Sequence, residues 1–191
     1  GITGAGRILV CPHDDPDPDA LAASWGMRRL LERELGAEVT IAFEGIIGRA
    51  ENRAMVRELG IRLRRTHSLD ASDFDGVVLV DTQPGASNHS APPDLPVLGC
   101  IDHHPRSRRG TAVPWFDVRP DGETSTTIVV GYLMERGIEL DPLLATAVLY
   151  ALKTDTRDFT RGASEGDLAV YAHAMSRADM HALGQIVNPE L

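Results

Sequence analysis

Residues 11–24 read Cys-Pro-His-Asp-Asp-Pro-Asp-Pro-Asp-Ala-Leu-Ala-Ala-Ser, so four aspartates and one histidine lie close together in the chain. The apolar run 8–11 predicts a buried strand before them, and apolar residues at helical spacing follow them. Two like unit charges about 4 Å apart repel by ~4 kcal/mol at an effective dielectric constant of ~20. Either the acids point into water or a cation holds them together, and the remainder of the chain favours the cation.

Three more apolar runs of strand length occur at 39–43, 77–80 and 97–101. Apolar spacing and helix-start signals predict helices over 20–35, 51–59, 125–136 and 143–152, and capping-box patterns predict further helix starts at Ser164 and Ser176. Strands that alternate with helices indicate a parallel sheet with helices on both faces. We therefore predict one α/β domain over residues 1–191, in which helices sandwich a parallel sheet of about five strands.

Acidic and imidazole residues follow three of the four apolar runs, and one more group follows the predicted helix 143–152. These residues are His13, Asp17, Asp19, Asp81, Asp102, His103, His104 and Asp155. Since ligands bind beyond the carboxyl ends of the strands in an open parallel sheet, we expect these side chains to converge at one edge. Helix capping accounts for a single aspartate such as Asp19, and solvent exposure for Asp14 and Asp15, but neither explains the joint pattern.

Carboxylates and imidazoles together form a mixed set of oxygen and nitrogen donors. Magnesium prefers oxygen donors and keeps several waters, whereas structural zinc favours cysteine. Manganese accepts both donor types, and two ions ~3.5–4 Å apart can share a bridging carboxylate and a bridging water. The donor set therefore predicts two Mn²⁺ ions, with Mg²⁺ as the alternative, and hydrolysis of a phosphoryl compound by an activated water.

The charge balance limits the kind of partner. A formal net charge of −9 and a pI of about 5.2 argue against a grip on an extended nucleic-acid duplex, which needs a basic stripe. A small anionic substrate is compatible with this charge, because metal ions and a few arginines suffice to hold it. Cys11 and Cys100 lie in apolar runs and make no disulfide framework, which favours a cytoplasmic location. No run approaches the ~18 apolar residues of a membrane span, so no membrane contact is expected.

Four ordered motifs resemble those of the DHH phosphoesterase superfamily. They are His13-x-x-Pro16-Asp17-x-Asp19-Ala20…Ser24, Asp81, Asp102-His103-His104-Pro105 and Asp155-Thr156-x-x-Phe159. They extend over essentially the whole chain, and four motifs in this order and spacing are highly specific. Residues 45–53 also resemble a segment of the branch that contains oligoribonucleases (nano-RNases) and 3′-phosphoadenosine 5′-phosphate phosphatases. The resemblance implies a Rossmann-like domain with a dinuclear manganese site.

The resemblance also implies a role for each residue. His13 and Asp17 would bind the first ion, and Asp81 would bridge both ions. Three residues would complete the second ion: Asp19, His103 and Asp155. His104 would face the substrate as an orienting group or a general acid, so that His104, Asp81 and His103 form the expected catalytic set. Asp102 would fix an imidazole, and which histidine of the pair binds metal is left open.

Substrate binding is expected to involve His104 together with arginines near the motifs: Arg49, Arg53 and Arg106. Arg108 and Arg109 fit a solubilising role equally well. The predicted helix start at Ser125 and Thr126 offers either backbone N–H groups to a phosphate or hydroxyls that only cap the helix.

Members of the superfamily that cleave nucleotides usually carry a C-terminal domain with a Gly-Gly-Gly-His motif, which does not occur in this sequence. We therefore expect residues 1–191 to be the catalytic DHH domain without that second domain. The leading prediction is a manganese-dependent phosphoesterase, like an oligoribonuclease or exonuclease, acting on a small nucleotide or a short single-stranded oligonucleotide. The alternatives are a manganese-dependent inorganic pyrophosphatase and a non-catalytic sensor of nucleotides. The exact substrate, the polarity of attack and the formation of a homodimer are left open.

Overall fold

The computed structural model describes residues 4, 6–106, 113–120, 122–160 and 162–189. Within them, the strands are β1 (Arg7–Pro12), β2 (Glu38–Phe43), β3 (Arg64–Arg65), β4 (Gly76–Val80), β5 (Val97–Asp102) and β6 (Trp115–Val118). All neighbouring strands are parallel, and the order across the sheet is β3-β2-β1-β4-β5-β6. The predicted α/β fold is confirmed, with six strands rather than about five.

The described part of the chain forms six α-helices: α1 (Pro18–Leu35), α2 (Ala50–Glu58), α3 (Ser125–Glu135), α4 (Pro142–Asp155), α5 (Glu165–Met175) and α6 (Met180–Val187). The four helices predicted from apolar spacing, α1 to α4, agree with the structure to within a few residues at each end. The capping box expected at the start of α5 is confirmed, since Ser164 and Asp167 exchange both hydrogen bonds. The capping box expected at Ser176 is wrong, because Asp179 caps α6 instead.

The α-helices lie on one face of the sheet, contrary to the expectation of helices on both. That face holds the larger core, to which strand residues such as Val10 and Val78 and buried residues from each of these six helices contribute. The opposite face, which includes Leu9 and Leu79, is covered by residues 69–74 and 91–95. These segments belong to the β3–β4 and β4–β5 connections, where Pro, Ser, Asn and Asp favour turns and short 3₁₀ helices over an α-helix.

Strand β6 was missed by sequence reasoning. Its four residues, Trp-Phe-Asp-Val, are interrupted by Asp117 and make no continuous apolar run. In the structure β6 pairs with β5 at the edge of the sheet. An edge strand is half-covered, so it tolerates a charged residue that a central parallel strand would exclude.

Strand β1 pairs with β2 on one side and with β4 on the other. The chain therefore adds β2 and β3 on one side of β1 and then β4, β5 and β6 on the other. The segments that follow β1 and β4 therefore leave the sheet in different directions. In sheets of this kind a crevice opens between two such segments beyond the carboxyl ends of the strands. His13 and Asp81 are the residues that begin the two segments on either side of this crevice.

Close packing of two helices completes the crevice. At Gly26 on α1, a Cβ atom would lie 2.9 Å from Cγ1 of Val129 on α3, a distance that a real side chain does not tolerate. The absence of a side chain lets α3 approach α1. This approach brings the first turn of α3 against the first turn of α1, where Asp19 lies.

Both cysteines are buried, as their apolar surroundings in the sequence predict. Cys11 and Cys100 have no exposed surface and form no disulfide. Burial raises the pKa of each thiol to about 12. Each therefore behaves as a small apolar side chain. Among the described residues, we find no helix with both the length and the apolar character that a membrane crossing requires.

Candidate metal centre

Three strand ends and two helices carry the predicted donor residues to one edge of the sheet. His13 follows β1, and Asp81 follows β4 directly. Asp102 is the last residue of β5, with His103 immediately after it. Asp155 is the last residue of α4. The expected convergence at the carboxyl edge is therefore what the strand topology produces.

Asp81 lies at the middle of the group, with 1% of its surface exposed. Its Oδ2 is 3.4 Å from Nε2 of His13, and its Oδ1 is 3.5 Å from Nε2 of His103 and 3.6 Å from Nδ1 of His104. The hydroxyl of Ser125 donates a hydrogen bond to Oδ1 at 2.8 Å. The two carboxylate oxygens thus face different histidines, which is the arrangement that a bridging carboxylate requires.

The backbone of Asp81 is also unusual, because its φ of 58° lies in the left-handed region. Residues other than glycine seldom adopt this region, although Asp and Asn do so more readily than most. Such strain persists where the surroundings hold it in place and is concentrated at functional sites. Here it turns the chain sharply at the end of β4 and directs the carboxylate into the crevice.

Two groups of potential ligands share Asp81. One consists of His13, Asp17 and Asp81, and the other of Asp81, His103 and His104; in each group the ligating atoms lie within 4.8 Å of one another. Carboxylate oxygens and imidazole nitrogens in this mixture suit a divalent ion that accepts both donor types, such as manganese. Two adjacent groups with a common carboxylate fit a pair of ions better than a single one.

Asp17 has two partners. Its Oδ1 accepts a hydrogen bond from the N–H of Ala20 at 3.0 Å, which makes Asp17 the N-cap of α1. The same oxygen is 3.9 Å from Nε2 of His13. Burial favours the protonated form of Asp17, but the nearby imidazole of His13 and the hydrogen bond from Ala20 outweigh it and lower the pKa of the carboxyl. Asp17 is therefore ionised, and its carboxylate faces His13 within the first group of potential ligands.

Asp19 is buried in the first turn of α1, and it caps another helix rather than its own. Its Oδ2 and Oδ1 accept hydrogen bonds from the backbone N–H groups of Ser125 and Thr126 at 3.0 and 2.9 Å, at the start of α3. Its Oδ2 is also 3.7 Å from Nε2 of His103. Because each carboxylate oxygen has two lone pairs, Asp19 keeps the capacity to bind a cation. The option that these N–H groups of α3 bind a phosphate is wrong, since Asp19 occupies them.

The buried carboxylates around Asp81 repel one another, so a positive charge placed among them would stabilise the ionised forms. Burial raises the pKa of Asp19 well above its usual value, and the charges of Asp81 and Asp17 raise it further. Burial lowers the pKa of His13, yet the neighbouring carboxylates of Asp17 and Asp81 reverse this effect and raise it to about 11. A proton on His13 therefore balances part of the acidic charge, and a divalent cation would replace that proton. The donors fit a metal site by this test as well as by their chemistry.

The two adjacent histidines differ in their surroundings. Nδ1 of His104 is 2.9 Å from Oδ1 of Asp102, and this hydrogen bond raises the pKa of His104 to about 9. His104 is half-exposed, with 56% of its side chain accessible. Nε2 of His103 instead faces the buried carboxylates of Asp19 and Asp81. His103 thus faces the buried carboxylates, whereas His104 is held by Asp102 at the rim of the site, and which of the two binds metal stays a prediction.

Asp155 is the last residue of α4, and its carboxyl interacts electrostatically with the group. Burial raises the pKa of its carboxyl; the charge of His103 lowers it, and those of Asp17 and Asp81 raise it. These effects place Asp155 within electrostatic reach of the site. The following residues 157–159 all have positive φ angles, between 49° and 63°, so the chain makes a tight left-handed turn beside it. The role of Asp155 as a ligand stays a prediction.

The arginines expected to hold a substrate have other contacts. Arg53 donates to the carbonyl of Gly48 at 2.7 Å and so braces the loop after β2. The guanidinium of Arg106 lies 5.5 Å from the ring centroid of Phe116. Arg49 is exposed at the start of α2. Their roles in substrate binding stay predictions, and Arg108 and Arg109 lie outside the described residues.

Sequence reasoning placed Ser125 at a helix start but missed its contact with the site, and it missed Gln83 altogether. Ser125 hydrogen-bonds to Asp81, and Gln83 donates from Nε2 to Oδ2 of Asp102 at 2.6 Å. Gln83 also donates to the carbonyl oxygens of His104 and Pro105, at 3.3 and 3.1 Å. No local pattern could have revealed these contacts, because the partners are 44 and 19 residues apart in the chain.

We expect the substitution Gln83→Leu to lower the free energy of unfolding by ~1–3 kcal/mol, because it removes the donor to a buried carboxylate oxygen of Asp102. Urea denaturation monitored by circular dichroism measures this change. Gln185→Leu, at an exposed position of α6, is the matched control and should change the stability by less than ~0.5 kcal/mol. Equal stability of the two variants would contradict the bracing role of Gln83.

The sequence was compared with family profiles and with individual proteins, and both comparisons give matches. A sequence profile described as the DHH family, N-terminal domain, matches residues 7–152. The chain is 35% identical over 185 residues to an uncharacterized protein of Methanocaldococcus jannaschii, a match that covers 96% of this chain and 37% of that protein. It is 29% identical over 152 residues to a protein of Streptococcus pyogenes named as a probable manganese-dependent inorganic pyrophosphatase, which covers 78% of this chain and 48% of the relative.

The fold also resembles that of a protein of known structure. The crystal structure of an exopolyphosphatase-related protein from Bacteroides fragilis superimposes on this chain with a TM-score of 0.73 at 15% sequence identity. The superposition covers 98% of this chain and 58% of the Bacteroides fragilis chain. In each of these matches the chain spans less than two thirds of the relative's length.

Proposed function

Since the chain belongs to the DHH family, we propose that it is a manganese-dependent phosphoesterase that hydrolyses small nucleotides or short single-stranded oligonucleotides. The observation that carries the proposal is the pair of ligand groups that share the buried Asp81. The acidic overall charge supports a small substrate over an extended duplex. The boundary of the catalytic domain at residues 1–191 and the cytoplasmic location stay predictions.

In this proposal the first ion would be held by His13, Asp17 and Asp81. The second would be held by Asp81, Asp19, His103 and Asp155. When bound, the two ions supply an activated water and neutralise the negative charge that builds up on the phosphoryl group. Ser125 fixes the orientation of Asp81 through its hydrogen bond to Oδ1.

His104 has the remaining chemical role. Its Nδ1 is paired with Asp102, and this carboxylate favours the protonated ring, raising the pKa of His104 to about 9 in the metal-free protein. The Nε2–H of the ring is then available to donate a proton to the leaving oxygen, or a hydrogen bond to a phosphoryl oxygen. Asp102 and Gln83 act as positioning residues for this histidine.

Inorganic pyrophosphate is the second candidate substrate. The observation that favours it is the name of the relative from Streptococcus pyogenes, a probable manganese-dependent inorganic pyrophosphatase. The metal groups described above suit either reaction, because both displace an oxygen from a phosphoryl centre. The two candidates differ in the groups that surround the phosphates rather than in the metal ligands.

The substrate is tested by comparing a diribonucleotide, adenosine 3′,5′-bisphosphate and pyrophosphate in the presence of Mn²⁺ and, separately, of Mg²⁺. We expect Mn²⁺-dependent release of mononucleotide or phosphate from at least one of the first two compounds. Hydrolysis of pyrophosphate alone would replace the proposed substrate class with the second candidate. Binding of the nucleotides without turnover of any compound would contradict the assignment as a hydrolase.

A further inference from the structure

A second concave surface lies on the helical face of the protein, between α1 and the segment that follows α2. It has a volume of about 300 Å³, and its walls include Trp25, Arg28, Arg33 and Arg62. Its floor is formed by two buried isoleucines, Ile41 of β2 and Ile61. This cleft shares no lining residue with the groups around Asp81. It is a separate site.

The charge of the cleft is opposite to that of the whole chain. The chain has a net charge of −9, yet the cleft is lined by four arginines and a single acid, Glu32. That acid is already paired, since Nε of Arg28 lies 2.7 Å from its Oε1. Arg29, the fourth arginine, forms an ion pair with Asp141. The basic charge of the cleft is therefore only partly compensated by its own acids.

Arg33 and Arg62 carry the uncompensated charge. Neither side chain has an ion pair or a hydrogen bond with another residue of the described ranges. Both residues are exposed, and they reach the cleft from different segments, the end of α1 and the chain after α2. A cation in the last turn of α1 also offsets the helix dipole, which explains Arg33. It does not explain why Arg62 comes to the same cleft.

The side of the cleft formed by α1 also contains an aromatic residue, Trp25. Trp25 is half-buried at the edge of the main core, so part of its indole ring lines the cleft. Arg28 and Arg29 follow it at i+3 and i+4, and Glu32 and Arg33 at i+7 and i+8, so one stripe of α1 forms this side. An aromatic side chain next to unpaired guanidinium groups matches a ligand with a planar ring and an anionic group. The volume lies at the lower end of the range for small-molecule sites.

We propose that this cleft binds a nucleoside monophosphate, with the base against Trp25 and the phosphate at Arg33 and Arg62. The isoleucine floor supports the apolar face of the base, and the arginines supply charge-assisted hydrogen bonds to the phosphate. The site requires no metal ion. It is independent of the proposed hydrolase activity, so a nucleotide bound here is a second ligand rather than the substrate.

The test is isothermal titration calorimetry with adenosine monophosphate in the presence of EDTA, on the full chain carrying Asp81→Asn to disable the metal centre. We expect saturable binding with one site per chain, weakened by added salt because the contact is ionic. Arg33→Ala and Arg62→Ala should each weaken binding about tenfold, the effect of ~1.4 kcal/mol. Arg57→Ala removes an exposed arginine that is paired with Glu58, and this control should leave binding unchanged.

Two further probes test the class of the ligand. Inorganic phosphate and adenosine should each bind at least tenfold more weakly than adenosine monophosphate, because each offers only half of the contacts. Trp25→Leu should weaken binding of adenosine monophosphate but not of phosphate. Arg62 is exposed in a loop, so its variant should fold normally even if Trp25→Leu does not. The proposal is overturned by the absence of saturable binding, by binding that Arg62→Ala does not change, or by equal binding of phosphate and adenosine monophosphate.

Discussion

Replacing Asp81 by asparagine should reduce Mn²⁺-dependent hydrolysis by at least ~10³-fold, which corresponds to ~4 kcal/mol of lost transition-state stabilisation. Asp81 faces His13 with one carboxylate oxygen and His103 with the other. The substitution removes the charge shared by both ligand groups, so neither ion would keep its position. Asparagine is preferable to alanine, because it tolerates the φ of 58° and retains an acceptor for Ser125. The initial rate of hydrolysis, measured with whichever of the three candidate compounds the unsubstituted protein hydrolyses, gives the size of the effect.

Asp94→Asn is the matched control for this substitution. Asp94 is an exposed aspartate in the same β4–β5 connection, and its loss removes the same charge. The control should keep the activity of the unsubstituted protein. Circular dichroism of both variants checks that the fold is intact. A folded Asp81→Asn variant with activity near that of the control would contradict the role of Asp81 as the shared ligand.

Addition of Mn²⁺ should raise the melting temperature of the protein by ~5–10 °C. A ligand that binds only the folded state stabilises it by ~2.7 kcal/mol at a concentration of 100 Kd. For a chain of 191 residues, each kcal/mol shifts the melting temperature by roughly 2–4 °C. The physical reason is the relief of repulsion among the buried acids around Asp81, for which the raised pKa of Asp19 is evidence. Differential scanning fluorimetry across a manganese titration measures this shift.

The shift should also grow as the pH rises from about 6 to 8. Without metal the pKa of His13 is about 11, so a proton occupies the imidazole and a metal ion must displace it. Protons therefore compete with the ion most strongly at low pH. The Asp81→Asn variant should lose most of the shift, and Asp94→Asn should keep it. A melting temperature that stays constant throughout the titration, at every pH in this range, would argue strongly against the metal centre.

Much of the fold followed from patterns within single segments. Each central strand is a continuous apolar run, and α1 has apolar residues at helical spacing that ends at Gly36, whose φ of 65° suits glycine. The placement of the helices did not follow, because the same amphipathic pattern serves either face of a sheet. The long β4–β5 connection and the packing of α3 on α1 decided that the α-helices share one face.

Some features of the candidate site were likewise predictable from the sequence, and others were not. Residue types and their positions after strands identified His13, Asp17, Asp81 and His103 as neighbours, because parallel strands bring their carboxyl ends to one edge. The tertiary structure alone separated His103, which faces Asp19 and Asp81, from His104, which is paired with Asp102. Two adjacent residues of the same type carry no local signal that distinguishes them.

The sequence by itself determined the kind of chemistry: the donor types, their order, and the edge of the sheet to which they belong. Only the tertiary structure decided the partners that orient those donors and the cleft on the helical face. Asp19 and Ser125 are 106 residues apart, and they meet because Gly26 lets two helices pack closely. Local patterns report backbone preference and burial, which depend on neighbouring residues. Contacts between distant side chains depend on how whole elements pack, and no single segment encodes that.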